Sequence, residues 1–591
     1  MAMTQVETWR DSRKPILAIA SLVLLHLAAL AACFAPALST PDANGYSVQA
    51  RLLATEGRSG FTVESPVQYV GPHWLAAPGN AFYSKYPPGL PAIMSAVWRL
   101  LGPNAALAVN PVMASLTLLA VFLLARIWVG AGWGLAVAAL MAVNPFANEH
   151  ALAGDAHTSV AFFLMWGLYA LIRWNHALSP AWAAAAGLML GAIPSMRYAE
   201  ALLLPGCGLY VLLRLRREPR RWPSLLAFGL GVALPLGAIC LRNQLVFGAF
   251  WRTGYSLTNE QGGFGLDYFV RHAVPYMRKL LSEGSGPPFA LGVVGIALLC
   301  AREETRRQGI LLASLVVPTL LLYMSYYWPP DPQSMRFLLP TLFLYPIAAV
   351  WLLQRVAEGR PRLAWVSGSV LILLTVVWGL PTSLRSMLRQ KFPNATLAEV
   401  GRVVEQKVPP GSIVIADEIV QQHLDFVGRW RLADASVIAP ERPRRAGAPG
   451  ASDGGPDPMQ AGKNAERTQR YSGLTPPERF AAFAEDVGRW AGPGRRVFWI
   501  GDADQIDRIA RRLAEGAELR TIARIVPERP PGRPEGEGAE GPEGDGGPGM
   551  PGSAGPGSGG TRMGPGAGGM MMGVRRLVDG EPLLLVEWTR G

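Results

Sequence analysis

About eleven apolar segments, most separated by short connections, occupy the first 385 residues of this 591-residue chain. They lie near 15–37, 104–126, 132–148, 156–173, 181–195, 198–213, 223–244, 286–301, 309–328, 336–354 and 363–383. A bilayer offers no water to satisfy backbone N–H and C=O groups, so segments of this kind can cross it only as helices. Composition agrees. Half of the residues are hydrophobic and 17% are charged, where soluble domains carry about 25%; mean hydropathy is +0.21. An ordinary soluble enzyme is excluded. So is a wholly disordered chain, despite 66 Gly and 50 Pro. The net charge of +12 does not indicate a nucleic-acid partner, because many of the arginines sit in clusters between apolar runs, the pattern of a polytopic membrane protein.

The four cysteines, Cys33, Cys207, Cys240 and Cys300, each lie inside an apolar run without metal-ligand or disulfide spacing. They read as small buried hydrophobes. The first apolar run follows Arg10, Arg13 and Lys14 and is too long for the core of a cleaved signal peptide, which makes it a retained signal anchor.

The expected fold is a polytopic all-α membrane protein with a C-terminal extracytoplasmic α/β domain. Residues 1–14 form a cytoplasmic N-terminus, 15–385 the transmembrane domain and 386–591 the soluble domain. The apolar segment Pro88–Leu101 is too short for an ordinary span. If it crossed, the clusters Arg214–Arg221, Arg302–Arg307 and Arg355–Arg362 would face outward, against the positive-inside rule. It is therefore expected to lie parallel to the membrane outside. Large external loops then cover 38–103 and 245–285, in an inner (cell) membrane. In the soluble domain, Ser412–Ala416 and Arg496–Ile500 read as buried strands, with Leu519–Val526 and Pro582–Trp588 as further strands. Leu397–Lys407, Glu418–Val427, Pro477–Trp490 and Asp504–Glu515 read as helices. Pro/Gly-rich stretches near 439–470 and 527–572 bury too little apolar surface to order and are expected to be disordered.

Several loop residues are candidates for chemistry. Asp42 follows the first span, and Tyr46, Ala50 and Leu53 repeat at helical spacing, so an amphipathic helix is expected on the membrane surface. Asp42 is open to two readings, a functional carboxylate or the N-cap of that helix. Lys85 lies between Tyr83 and Tyr86 before Pro87-Pro88-Gly89; a fixed cation there suits a lipid phosphate, and equally an interfacial Tyr/Lys belt. Asp155 and His157, near His150, are candidate ligands for a divalent metal or a phosphate, and Asp155 also fits a helix cap. Arg197 and Arg336 occupy turns where a guanidinium can clamp a phosphate or snorkel to headgroups. Arg242, Asn243, Phe247, Trp251, Arg252, Gly254 and Tyr255 cluster in the second loop; aromatics beside polar groups suit sugar faces or any interface. Few ionisable residues fall at helix centres, His26 and Glu200 being the main ones. An ion-coupled transporter usually places such groups near the midplane.

Four motifs together resemble the bacterial membrane glycosyltransferases of the GT-C fold, family 39, which include protein O-mannosyltransferase and aminoarabinose transferase relatives. They are Asp42 with Tyr46, Tyr83-Ser84-Lys85-Tyr86-Pro87-Pro88-Gly89, Asp155 at a helix start, and Arg336-Phe337-Leu338-Leu339-Pro340. The match covers roughly residues 15–385. It departs from many relatives in having Asp42-Ala43 rather than Asp-Glu, and Tyr86 between Lys85 and the prolines. The resemblance implies transfer of a sugar from a polyprenyl-phosphate carrier to a glycan, lipid or protein acceptor at the outer face, with the lipid bilayer as a partner and no nucleic acid. It implies Asp42 as base, Lys85 and Arg336 with Arg197 as phosphate binders, Tyr46 and Tyr83 as substrate contacts, and Asp155 orienting the acceptor or a metal. No cofactor is assigned beyond that candidate metal ion. A flippase or transporter for a lipid-linked substrate, and a non-catalytic membrane anchor, are the alternatives. Asp502-Ala503-Asp504 invites a nucleotide-sugar reading, but a strand-to-helix turn with an N-cap accounts for it.

Overall fold

The computed structural model describes residues 13–77, 81–177, 179–216, 222–328, 334–438, 470–513, 517–528 and 582–589. Most of the two Pro/Gly-rich stretches, 439–469 and 529–572, lies outside the described residues.

The chain opens with α1 (Arg13–Cys33) and α2 (Pro41–Thr55), then the strands β1 (Gly60–Thr62), β2 (Trp74–Ala77) and β3 (Ala81–Ser84). Next come α3 (Gly89–Leu101), α4 (Pro103–Leu107), α5 (Val109–Val129), α6 (Ala131–Ala142), α7 (Pro145–Leu152), α8 (His157–Ala177), α9 (Pro180–Met196), α10 (Leu203–Leu215) and α11 (Trp222–Phe247). The second loop holds α12 (Gly254–Leu257) and α13 (Leu266–Lys279). The bundle closes with α14 (Pro287–Ala301), α15 (Arg306–Met324), α16 (Leu339–Leu342), α17 (Leu344–Val356) and α18 (Pro361–Lys407). Five helices, α1, α5, α11, α15 and α18, are long and apolar enough to cross a membrane, and the bent pairs α7/α8 and α16/α17 bring this to seven. The protein is a multi-pass membrane protein. The segments α6, α9 and α14 are apolar but shorter, so a count of eleven spans goes beyond what helix length and composition carry.

Several boundaries differ from expectation. The third apolar segment is not one helix: α6 stops at Ala142, and Asn144 caps a new helix, α7, by accepting from the Ala147 N–H at 3.0 Å. Pro145 at the first position of α7 has no N–H to satisfy, which favours a start there. The sixth segment opens with a 3-10 turn, Ala199–Leu202, before α10. The last span and the expected helix Leu397–Lys407 are one continuous α18, which carries the chain from the bundle into the C-terminal domain through Pro381 and Pro393. The boundary drawn at 385 falls inside it.

His26, at the middle of α1, is satisfied internally: its ring bonds to Ser115 at 2.9 Å and Asn148 at 2.8 Å. Among the described residues Arg355 pairs with Glu304 at 3.1 Å, and Gln354 donates to the Val129 carbonyl. These contacts gather the connections that follow α5, α14 and α17 at one end of the bundle. The opposite end holds the large loops and the C-terminal domain.

That domain has a five-stranded sheet in the order β5-β4-β6-β8-β7, built from β4 (Ile413–Ala416), β5 (Arg431–Asp434), β6 (Val497–Gly501), β7 (Glu518–Ile525) and β8 (Leu583–Thr589). β4, β5 and β6 run parallel and β8 is antiparallel to both β6 and β7. The helices are α19 (Glu418–Val427), α20 (Pro476–Ala491) and α21 (Ala503–Ala510). β5 is the strand not expected from sequence; its four residues include two charges, so it lacks the apolar run that marked β4 and β6. Asp502 is the N-cap of α21, accepting from the Gln505 N–H at 2.7 Å, which makes the Asp-x-Asp sequence a strand-to-helix turn.

The first loop joins this sheet. The Tyr69 N–H donates to the Leu432 carbonyl at 2.7 Å, and the Asp434 N–H to the Val67 carbonyl at 2.8 Å, so residues 67–69 run antiparallel beside β5. Asn44 donates to the Gln422 carbonyl at 3.1 Å and accepts from the Trp74 indole at 3.3 Å. α2 is therefore not an amphipathic helix lying on the membrane. Ala43 to Ala50 are all buried, between α3 on one side and α19 on the other.

Candidate functional site

Local sequence places Asp42. Thr40 is the N-cap of α2, its hydroxyl accepting from the Ala43 N–H at 3.3 Å, and Pro41 takes the first helical position. Asp42 is thus the second residue of the helix rather than its cap, where the helix dipole favours a carboxylate. Tyr86 donates to Asp42 Oδ1 at 2.7 Å, His73 Nε2 lies 3.2 Å from the same oxygen, and an Arg336 Nη lies 3.3 Å from Oδ2. Burial pushes this carboxyl up, but the Arg336 charge, the His73 hydrogen bond and charge, and Lys85 more than offset it. Asp42 is held well below the usual carboxylate range.

A hairpin register brings His73 and Lys85 to the site. β2 and β3 pair antiparallel with Trp74 opposite Ser84, so the residues just outside the ladder, His73 and Lys85, lie side by side. The Lys85 N–H donates to the His73 carbonyl at 2.9 Å. Lys85 Nζ lies 3.1 Å from Glu260 Oε1 and near the rings of Tyr86 and Tyr255. Glu260 also accepts from Tyr326 at 2.7 Å. Burial would raise Glu260, and the Lys85 charge with the two hydrogen bonds holds it below its ordinary value. Lys85 is therefore a buried, paired cation, not a member of an interfacial belt. Tyr46 stacks on Tyr86 with ring centroids 4.4 Å apart, and its hydroxyl reaches the Met196 carbonyl at 3.4 Å.

The second loop packs directly against Lys85. A Cβ on Gly254 would come within 2.1 Å of the Lys85 carbonyl oxygen, so only glycine fits. The adjacent Tyr255 ring packs edge-on against Tyr86 and Tyr198, and Arg242 bonds the Tyr198 hydroxyl at 3.2 Å and the Ser84 carbonyl at 3.3 Å. Gly254→Ala is expected to destabilise the protein by about 1–3 kcal/mol, since backbone cannot yield as a side-chain tip does. Thermal unfolding in detergent would show it, and an unchanged midpoint would mean that the loop relaxes freely.

Asp155 lies in a turn pressed on the same region. Gly154 adopts φ +73°, and a Cβ there would lie 3.2 Å from that of Ala43. Asp155 accepts from the His157 backbone N–H at 3.0 Å, as a cap would, and bonds His150 Nδ1 at 2.7 Å. Both His157 ring nitrogens are buried with no hydrogen-bond partner among the described residues, and the ring packs against those of His150 and Phe337. Among the described residues no group of three or more His, Cys, Asp or Glu is arranged to hold a metal ion. With Asp155 committed to His150 and a backbone N–H, the candidate set does not fit a metal.

Two expected residues border this cluster without bonding Asp42 or Lys85 in the described contacts, and Arg197 lies over the Phe337 ring within electrostatic reach of Tyr46, Tyr255 and Arg336. Arg197 is buried and bonds Glu200 at 2.9 Å, with Tyr323 donating to the same carboxylate oxygen at 3.1 Å. Glu200 is thus not at a helix centre but in the turn after α9. Tyr83 points to the opposite face of β3 from Phe82 and Ser84, its ring over Gly60 and within electrostatic reach of Arg242. The structure brings Asp42, Tyr46, Lys85 and Arg336 together, with Asp155 on the adjoining turn. Tyr86, part of the Lys85 motif but given no role there, joins them, as do His73 and Glu260, which were not singled out in the sequence. Glu260 carried no signal, whereas the hairpin would have pointed to His73.

No family model and no curated protein matches the chain. Solved structures do. ArnT from Cupriavidus metallidurans, bound to undecaprenyl phosphate, superposes with a TM-score of 0.54 at 14% identity, over 86% of this chain and 96% of ArnT. The chain has the GT-C fold. Apo ArnT gives a TM-score of 0.52 at 14% identity, over the same shares of the two chains. The Archaeoglobus fulgidus oligosaccharyltransferase is a more distant likeness, at 0.47 and 12% identity, over 84% of this chain and 70% of that one. The matched share, 86% of the chain, is larger than the bundle alone.

Proposed function

We propose that the protein is a membrane glycosyltransferase that moves a sugar from a polyprenyl-phosphate carrier to a hydroxyl-bearing acceptor at the outer face of the membrane. The observation that carries this reading is the meeting of Asp42 and Lys85 from the first loop with Arg336 from the turn before α16, at one end of a GT-C bundle. The basic connections after α14 and α17 lie at the other end, which by the positive-inside rule is cytoplasmic. The site then faces outward, with the N-terminus inside and the C-terminal domain outside. The solved relative that binds undecaprenyl phosphate supports a lipid-phosphate donor.

In this mechanism Asp42 takes the proton of the acceptor hydroxyl as its oxygen attacks the anomeric carbon. The bond from that carbon to the phosphate oxygen breaks, and the electron pair leaves with polyprenyl phosphate. Lys85 and Arg336 stabilise the charge that develops on the departing phosphate. Asp155, through its bonds to His150 and the His157 backbone N–H, positions the neighbouring turn against which the acceptor is oriented. The acceptor is a glycan, a lipid or a protein, and the sugar a hexose or pentose.

The purified protein, given radiolabelled polyprenyl-phosphate sugars and a membrane extract, is expected to transfer label. Lys85→Gln should reduce transfer by about 10²-fold, the scale of losing one donor to a developing anion, and Lys85→Arg should retain part of it. Failure of the wild type both to transfer label and to bind undecaprenyl phosphate would remove the reading.

A further inference from the structure

Both cations assigned to the donor phosphate are occupied by carboxylates of the chain itself: Lys85 by Glu260 and Arg336 by Asp42. The Arg336 pair is the looser. It rests on one contact of 3.3 Å, longer than the 2.7–2.9 Å usual for a charge-assisted bond. The Arg336 Nε is buried without a partner among the described residues, so the fork is only partly used. The two side chains remain 22% and 21% exposed, which leaves the pair open to a competing anion. A phosphate matches the guanidinium fork with two parallel bonds, where Asp42 supplies one.

Asp42 is meanwhile a poor proton acceptor. One oxygen holds Tyr86 and His73 and the other holds Arg336. The surrounding charges keep it ionised and weakly basic, whereas an efficient base is matched to the working pH. The groups that face it are Tyr86, His73, Lys85 and Arg336, with Tyr46, Tyr255 and His157 beyond them, and Asp155 and Arg197 within electrostatic reach of Arg336.

We infer that Arg336 exchanges partners, leaving Asp42 for the donor phosphate, so that donor binding itself unmasks the base. The inference deepens the proposed function and rests on its assignment of Arg336 to the phosphate. One cation then performs two tasks in order: without donor it holds Asp42 in its inert pairing, and with donor it anchors the leaving group and frees an Asp42 oxygen for the acceptor hydroxyl.

Undecaprenyl phosphate titrated against the full-length protein in detergent tests this through a double-mutant cycle. Asp42→Asn releases Arg336 and is expected to tighten binding by about tenfold, while Arg336→Ala weakens it. In the Arg336→Ala background, Asp42→Asn is expected to have no further effect. Equal tightening in both backgrounds would mean direct repulsion between Asp42 and the phosphate, and would overturn the exchange. Unchanged affinity in Asp42→Asn would do the same while leaving the glycosyltransferase reading intact. No binding by wild type would remove both. Should Arg336→Ala unfold, Arg336→Gln, which keeps the side chain's bulk, takes its place in the cycle.

Discussion

Asp42→Asn should lower kcat for sugar transfer by about 10²–10⁴-fold, the range for losing a general base. The amide keeps the shape of the side chain and accepts the Tyr86 hydrogen bond, so the fold should persist. It cannot take a proton. Because the same substitution frees Arg336, the donor KM should fall rather than rise, a combination that loss of folded protein does not produce. The pH profile adds a second readout. In the free protein Asp42 is held well below the usual carboxylate range, so the acid limb of kcat/KM should lie low. If Arg336 moves to the phosphate, the acid limb of kcat, which reports the donor complex, should lie higher. The linkage to stability follows the depressed value. The contribution of the Asp42–Arg336 pair is present above the unfolded-state carboxyl pKa and is lost as pH falls through the lower folded-state value. Transfer by Asp42→Asn at the wild-type rate would exclude Asp42 as the base and turn attention to Asp155.

Arg197→Met is expected to destabilise the protein by about 3–5 kcal/mol, the scale for breaking a buried ion pair from one side. Arg197 and Glu200 are 5% and 3% exposed. With Arg197 removed, Glu200 retains the Tyr323 hydroxyl, while its second oxygen is buried without a partner among the described residues. Replacing both members by methionine should recover much of the loss, because the uncompensated charge goes with its partner. The apparent unfolding temperature in detergent measures both variants. This separates two roles for Arg197. A structural guanidinium gives an unstable single variant and a stable, active double variant. If Arg197→Met instead unfolds like wild type and loses affinity for undecaprenyl phosphate, Arg197 belongs with Lys85 and Arg336.

Much of the bundle was legible in the sequence. A long apolar run in lipid has one solution, a helix, so the positions of α1, α5, α11 and α15 follow from hydropathy alone. The strands β4 and β6, buried on both faces, likewise announced themselves as apolar runs. Where the expectations moved, a local competitor decided. Asn144 and Pro145 restart a helix that hydropathy ran straight through. The continuous α18 passes two prolines because the missing N–H groups interrupt single bonds, not the helix. Thr40, not Asp42, caps α2, which leaves the carboxylate free to turn toward Arg336.

The sequence by itself determined that the chain crosses a membrane many times and that Asp42, Lys85, Asp155 and Arg336 lie in its loops, because burial in lipid and helix geometry act over a few residues. Only the tertiary structure decided which of these meet. Asp42 and Arg336 are 294 residues apart, and Lys85 and Glu260 are 175 apart; no local rule couples such pairs. The β2–β3 register sets His73 beside Lys85, and Gly254 lets the second loop close on Lys85. Tyr83 shows the same limit from the other side. It precedes Lys85 by only two residues, yet its ring packs over Gly60 of the paired strand β1.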